Sequence, residues 1–224
     1  VFNHTGYVSR YFNGDGFYPE PGAHQSQDSP YYSWYNFTKW PNQYESWWGI
    51  YSLPSVNEHA PSYREFVFGR ENSVVRRWLR AGADGWRLDV ADELPDDFVE
   101  GIHAAARAEK ADAVVIGEVW EDGSTKVAYG VRRKHILGRH CDGLMNYPFR
   151  GAALEYLQGG DAKDFMETMD TLRENYPPFA FYSAMNSLGT HDTPRILTLL
   201  GVGSEWSPGA SSIPLSARAA SSAR

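Results

Sequence analysis

The sequence predicts an α/β fold in which a parallel sheet is covered by helices. Two observations point that way: short, continuous apolar runs alternate with amphipathic stretches at βαβ spacing, and an acidic residue closes each of three such runs, at Asp89, Glu118 and Asp192. The 224 residues, 42% of them apolar, are enough for one large domain or two small ones with a substantial core.

Residues 1–60 come first and lack any period. They are rich in Gly, Pro, Asn and Ser, and the run YYSWYNFTKWPNQYESWW neither alternates nor repeats helically, so a compact, loop-rich segment is expected. Of the 8 Trp, 14 Tyr and 11 Phe, 15 fall within residues 1–50, and core packing and sugar stacking explain them about equally well. After Pro61, the residues Tyr63, Phe66, Val67, Val74, Val75, Trp78 and Leu79 suit one face of a single helix stopping at Ala81-Gly82. ADGWRLDV (83–90) reads as a strand, Glu93-Leu94-Pro95 as the opening of a second helix through Phe98, Ile102 and Ala106, and Ala113–Ile116 as a second buried strand running into Gly117-Glu118. The alternation continues with DGLMNYPF (142–149), a helix over Ala162–Asn175, then SLGTHD (187–192) as a strand and Pro194 in the first turn of a last helix. Residues 61–203 therefore form the regular part of the domain. The stretch 204–224, with seven Ser, five Ala and no amphipathic period, reads as disordered or foreign to it.

This pattern fits a (β/α)₈ barrel or an open doubly wound sheet. Carboxylates at the C-terminal ends of strands favour the barrel, whose catalytic groups gather on that rim, and the glycine-rich phosphate turn of an open nucleotide-binding sheet is missing from the sequence. With 21 basic against 28 acidic side chains, a net charge of −7, the chain lacks the basic footprint of a nucleic-acid binder. Cys141 is the only cysteine, which excludes an internal disulfide. Nothing approaches the roughly 20 apolar residues of a membrane span, and VFNHTG lacks the basic start and apolar core of a signal peptide.

Three carboxylates on one rim would repel one another, so at least one should hold its proton near neutral pH. Cleaving a glycosidic bond takes a proton for the leaving oxygen and electron density for the anomeric carbon, and two carboxyl groups in different environments supply both. Arg87, two residues before Asp89 and on the same side of its strand, would keep Asp89 ionised; Glu118 follows an apolar run and lies beside Val119 and Trp120, a setting that favours the acid form. His4 and His191 add hydrogen-bonding groups suited to sugar hydroxyls. Taken singly, each acidic residue is more often a helix cap or ion-pair partner, and each histidine a structural one.

The order of five short segments changes the balance. VFNH (1–4), LPSVN (53–57), GWRLD (85–89), GEVW (117–120) and THD (190–192) resemble, in sequence order and at plausible spacing, the signatures of the α-amylase family of glycoside hydrolases, over residues 1 to about 200. LPSVN and LGTHDTPR are most similar to the neopullulanase, cyclomaltodextrinase and amylopullulanase group. Asp92-Glu93 stands where typical α-amylases carry Lys-His. The resemblance implies Asp89 as nucleophile, Glu118 as general acid and base, Asp192 as the residue holding the distorted sugar, and His4, Arg87 and His191 lining the same subsite, with Trp120 a further substrate-binding candidate. It implies retaining hydrolysis of maltodextrins, cyclodextrins or pullulan, the partner being an α-glucan oligosaccharide or polysaccharide. An α-glucan transglycosylase and a non-catalytic carbohydrate-binding or scaffold relative are the alternatives. The chemistry requires no cofactor; Asn3 matches a position that binds calcium in many α-amylases, though the further oxygen ligands are not identifiable, and the metal stays open. In this family VFNH closes the third barrel strand and THD the seventh. The sequence is thus expected to be a fragment, a partial (β/α)₈ barrel of about strands three to seven with a loop-rich insert after strand three, inactive by itself.

Overall fold

The computed structural model describes residues 1–201, which divide into two compact units, Val1–Val115 and residues 116 onward. The stretch 204–224 lies outside the described residues.

The first unit opens with the aromatic segment. Its regular structure is confined to one-turn 3₁₀ helices at Tyr32–Trp34 and Trp47–Gly49 and to a small antiparallel hairpin, β1 (Phe37–Lys39) with β2 (Gln43–Tyr44). Rings hold it together. Phe12 is fully buried and packs against Tyr35, Phe37 and Tyr44 with centroids 5.0, 6.0 and 4.7 Å away. Trp34 gathers Tyr11, Tyr31, Tyr63 and Phe66 around it and donates its indole N–H to Ser62 Oγ at 2.9 Å. For these rings the core reading holds, each packed pair being worth about 0.5–1.5 kcal/mol beyond its buried area. The segment 53–57 is tied to the first residues by Val56 N–H to the Asn3 carbonyl at 2.9 Å and Thr5 N–H to the Pro54 carbonyl at 3.0 Å.

The single helix expected over 61–82 is two. α1 (Pro61–Arg64) runs into one π turn, Glu65–Gly69, and α2 (Val74–Arg80) begins after Ser73, whose extended backbone breaks the run. Gly82, at φ +106°, ends α2, a conformation that glycine adopts without penalty. Strand β3 (Gly85–Leu88) is shorter than the 83–90 expected, because Val90 turns into the left-handed region (φ 44°) and leads into a 3₁₀ turn at Ala91–Glu93. α3 (Asp96–Glu109) starts after Pro95 with two acidic residues in its first turn and buries Phe98, Val99, Ile102, Ala105 and Ala106. Strand β4 (Val114–Gly117) straddles the division. Its first residue bonds to the chain entering β3, Val114 N–H to the Asp84 carbonyl at 3.1 Å.

In the second unit, the end of β4 pairs in parallel with a strand that follows the short hairpin β5 (Val127–Ala128) and β6 (Val131–Arg132): that strand is β7 (Gly143–Leu144), with Ile116 opposite Gly143. DGLMNYPF is thus split, strand for two residues and then α4 (Tyr147–Leu157), whose first turn is capped by Asn146 Oδ1 accepting from Phe149 N–H at 3.1 Å. α5 (Ala162–Asn175) has the bounds expected and is capped by Asp161; α6 (Pro178–Tyr182) follows. SLGTHD is not a strand. Its backbone is engaged by the Thr190–Thr193 turn, and the bridge parallel to Met145 comes earlier, at Met185. Pro194 precedes α7 (Ile196–Gly201) rather than entering its first turn.

Candidate active site

In the first unit, β3 delivers Arg87 and Asp89 two residues apart, and the two side chains form an ion pair, Arg87 Nη1 to Asp89 Oδ1, both partly buried. The alternation of a strand puts them on one side, as expected from their spacing. Asn3 and His4 are fixed by the bridge of His4 to Ser55, and His4 Nδ1 lies 2.9 Å from Asn3 Oδ1. Burial pushes the His4 imidazole below its ordinary pKa, opposed in part by the negative charge of Asp89 and, more weakly, of Glu93. A neutral ring is the form suited to accept or donate a single hydrogen bond.

Glu93, Trp47 and Trp48 join this group without having been singled out for a role. Glu93 Oε2 accepts from Trp47 Nε1 at 2.6 Å and Asn3 Nδ2 at 3.0 Å, while Oε1 accepts from Trp48 Nε1 at 2.8 Å. The two indoles stack with centroids 4.5 Å apart, and His4 stacks on Trp47 at 4.9 Å. The signal was visible in the sequence as the Glu93 departure and the Trp-Trp dipeptide, but their meeting across 45 residues was not. Among the described residues, the side chains that hydrogen-bond Asn3 are the Glu93 carboxylate and the His4 imidazole, fewer than the six to eight oxygens that calcium takes.

In the second unit, Glu118 follows β4 directly and is 5% exposed, its Oε1 accepting the Trp120 indole N–H at 3.2 Å. Trp120 stacks on Tyr147, the first residue of α4 and one that sequence reasoning missed. The Tyr147 hydroxyl in turn lies 3.4 Å from Thr190 Oγ1. Thr190 Oγ1 also accepts the Asp192 backbone N–H at 3.2 Å, and His191 Nε2 stands 3.2 Å from Asp192 Oδ2. Both His191 and Asp192 are solvent-accessible. Trp120 thus gives its edge to Glu118 and one face to Tyr147, so that it braces the carboxyl as well as being a candidate for sugar contact. Among the described residues no group of three or more His, Cys, Asp or Glu could hold a metal ion, and no helix is long and apolar enough to cross a membrane.

Residues 1–213 match the family described as alpha amylase, catalytic domain. An amylopullulanase of Thermoanaerobacterium thermosulfurigenes is 36% identical over 91% of this chain, which spans 12% of that protein. A cyclomaltodextrinase of Geobacillus thermopakistaniensis is 30% identical over 90% of the chain, which spans 32% of its length. Among solved structures, a cyclic α-maltosyl-(1→6)-maltose hydrolase from Arthrobacter globiformis, in complex with cyclic α-maltosyl-(1→6)-maltose, superposes with a TM-score of 0.75 at 27% identity, over 90% of this chain and 43% of that one.

Proposed function

We propose, for a chain that belongs to the α-amylase family, that the protein it forms part of hydrolyses α-glucosidic bonds of maltodextrins, cyclodextrins or pullulan with retention of configuration. The strands correspond in this proposal to about the third to seventh of a (β/α)₈ barrel, residues 1–60 to the end of strand three and its insert, and 61–203 to the central barrel, whose rim gathers Asp89, Glu118 and Asp192.

The supporting observation is the placement of two carboxyl groups, each directly following a strand. Asp89 is paired with Arg87, and Glu118 is buried with its Oε1 accepting the Trp120 indole N–H. Two carboxyl groups in such different surroundings suit a nucleophile and an acid. In the first step an Asp89 oxygen bonds to the anomeric carbon as the bond to the leaving oxygen breaks, and Glu118 gives its proton to that oxygen. In the second, Glu118 takes a proton from water, whose oxygen displaces Asp89 and restores the α configuration. Asp192 holds sugar hydroxyls as positive charge develops on the ring, and Arg87, His4 and His191 line the same subsite. Transfer to a sugar acceptor would use the same carboxylates; the names of the similar proteins, amylopullulanase and cyclomaltodextrinase, favour water.

The test is Asp89→Asn and Glu118→Gln in the full reading frame that encodes this chain, with release of reducing sugar from maltodextrin and pullulan as the readout. Each should lower kcat by about three orders of magnitude or more while maltodextrin binding stays detectable. Activity within about tenfold of the unsubstituted protein in either variant would overturn the assignment.

A further inference from the structure

Trp48 is held in a way that stability alone does not explain. Its backbone sits at φ 53°, ψ 26°, the left-handed region, which is strained for a bulky residue and persists only where the surroundings impose it. The surroundings here are specific. Trp48 is stacked on Trp47 and its indole N–H is bonded to Glu93 Oε1, while the other oxygen of that carboxylate holds Trp47 and Asn3. Yet Trp48 is 50% exposed. A large apolar ring is thus fixed in orientation at the cost of backbone strain and then left half in water, the opposite of what burial would favour.

We propose that Trp48 is a stacking platform for a glucose ring of an α-glucan, a ring other than the one at Asp89, and that Glu93 is the positioning residue that sets its angle. The indole has one hydrogen-bond donor and Glu93 already takes it, so what Trp48 offers a ligand is its apolar π face. The face of a pyranose that carries C–H groups matches such a surface, and its hydroxyls remain at the rim in water. The location fits: Trp47 links Trp48 to His4, whose ionisation is influenced by Asp89. Glu93 is the residue at which the sequence departs from ordinary α-amylases, and a carboxylate has the two acceptor oxygens needed for two indole donors. The substrate class rests on the function proposed above; the role of Trp48 does not follow from it.

The experiment is calorimetric binding of maltoheptaose and maltotriose to the full-reading-frame protein carrying Glu118→Gln, which suppresses turnover. Trp48→Ala should weaken maltoheptaose about tenfold and maltotriose less, and Trp48→Phe, which keeps a ring, should recover most of the loss. Glu93→Gln turns one acceptor into a donor facing an indole N–H; it should weaken maltoheptaose comparably, diminish the circular-dichroism couplet of the paired indoles, and add less than about twofold when Trp48 is already Ala. Unchanged maltoheptaose affinity in Trp48→Ala, or an equal loss for both sugars, overturns this inference alone. No binding of either sugar by the protein with Trp48 intact overturns it together with the substrate class. A Glu93→Gln effect that persists in full without the Trp48 ring overturns the positioning role.

Discussion

Trp120 and Tyr147 stack face to face with ring centroids 3.9 Å apart and planes within 8°. The pair spans two elements of the second unit, since Trp120 follows β4 by three residues and Tyr147 opens α4. Its consequence is at the edge of the indole, where the N–H meets the buried carboxyl of Glu118.

Trp120→Phe keeps the ring and removes the donor, so it tests whether that hydrogen bond positions the acid. Hydrolysis of maltotriose should slow by about tenfold. With an aryl glucoside whose leaving group needs little protonation, the loss should be much smaller. Equal losses on both substrates would show that Trp120 does not act through Glu118.

Glu58 gives a pH dependence of stability. Burial, the largest influence, raises its carboxyl from 4.5 to about 7. Because the folded value lies above the unfolded one, the unfolded state releases its proton first, and stability falls as pH rises from about 4.5 through about 7, by up to about 3 kcal/mol in total. Glu58→Gln removes the ionisation. Urea melts should show it more stable than the unsubstituted protein at pH 8 and nearly equal at pH 4.5, with a flatter slope between. The same slope in both proteins would place the titration elsewhere.

Two glycines should respond in opposite directions to alanine. A Cβ on Gly85 would lie 1.9 Å from the Val114 carbonyl oxygen, an approach between β3 and the start of β4 that the backbone must yield to relieve. Gly85→Ala should cost about 3 kcal/mol or more in urea melts, or prevent folding. A Cβ on Gly151, inside α4, would meet nothing within 4 Å, so Gly151→Ala should stabilise by about 0.5–1 kcal/mol. Equal effects at the two positions would contradict the strand contact.

What was legible in the sequence follows how local the cause is. α5 has the expected bounds because its amphipathic period and its Asp161 cap lie within the same stretch. The 61–82 helix is broken because Gly69 and Ser73 carry a turn that an apolar face spanning it conceals. SLGTHD resembles a strand in composition, yet the Thr193 hydroxyl accepts from the Thr190 N–H and donates to the Thr190 carbonyl, which turns it. The same divide holds at the candidate site. Arg87 and Asp89 meet because strand alternation is a local rule, and Trp120 reaches Glu118 from two residues away. The clamp of Glu93 on Trp47 and Trp48, and the seat of Trp120 on Tyr147, join residues distant in sequence, where no periodicity reports a contact.

The central claim, that Asp89 is the nucleophile, is tested most directly by trapping its ester. The full-reading-frame protein carrying Glu118→Gln, incubated with 5-fluoro-α-D-glucosyl fluoride, has a leaving group that needs no acid and lacks the base that would release the intermediate. Peptide mass spectrometry should find the fluoroglucosyl group on the peptide containing Asp89, lost when Asp89→Asn is added. The same group on another carboxylate, or its persistence on the protein when Asp89→Asn is added, would contradict it.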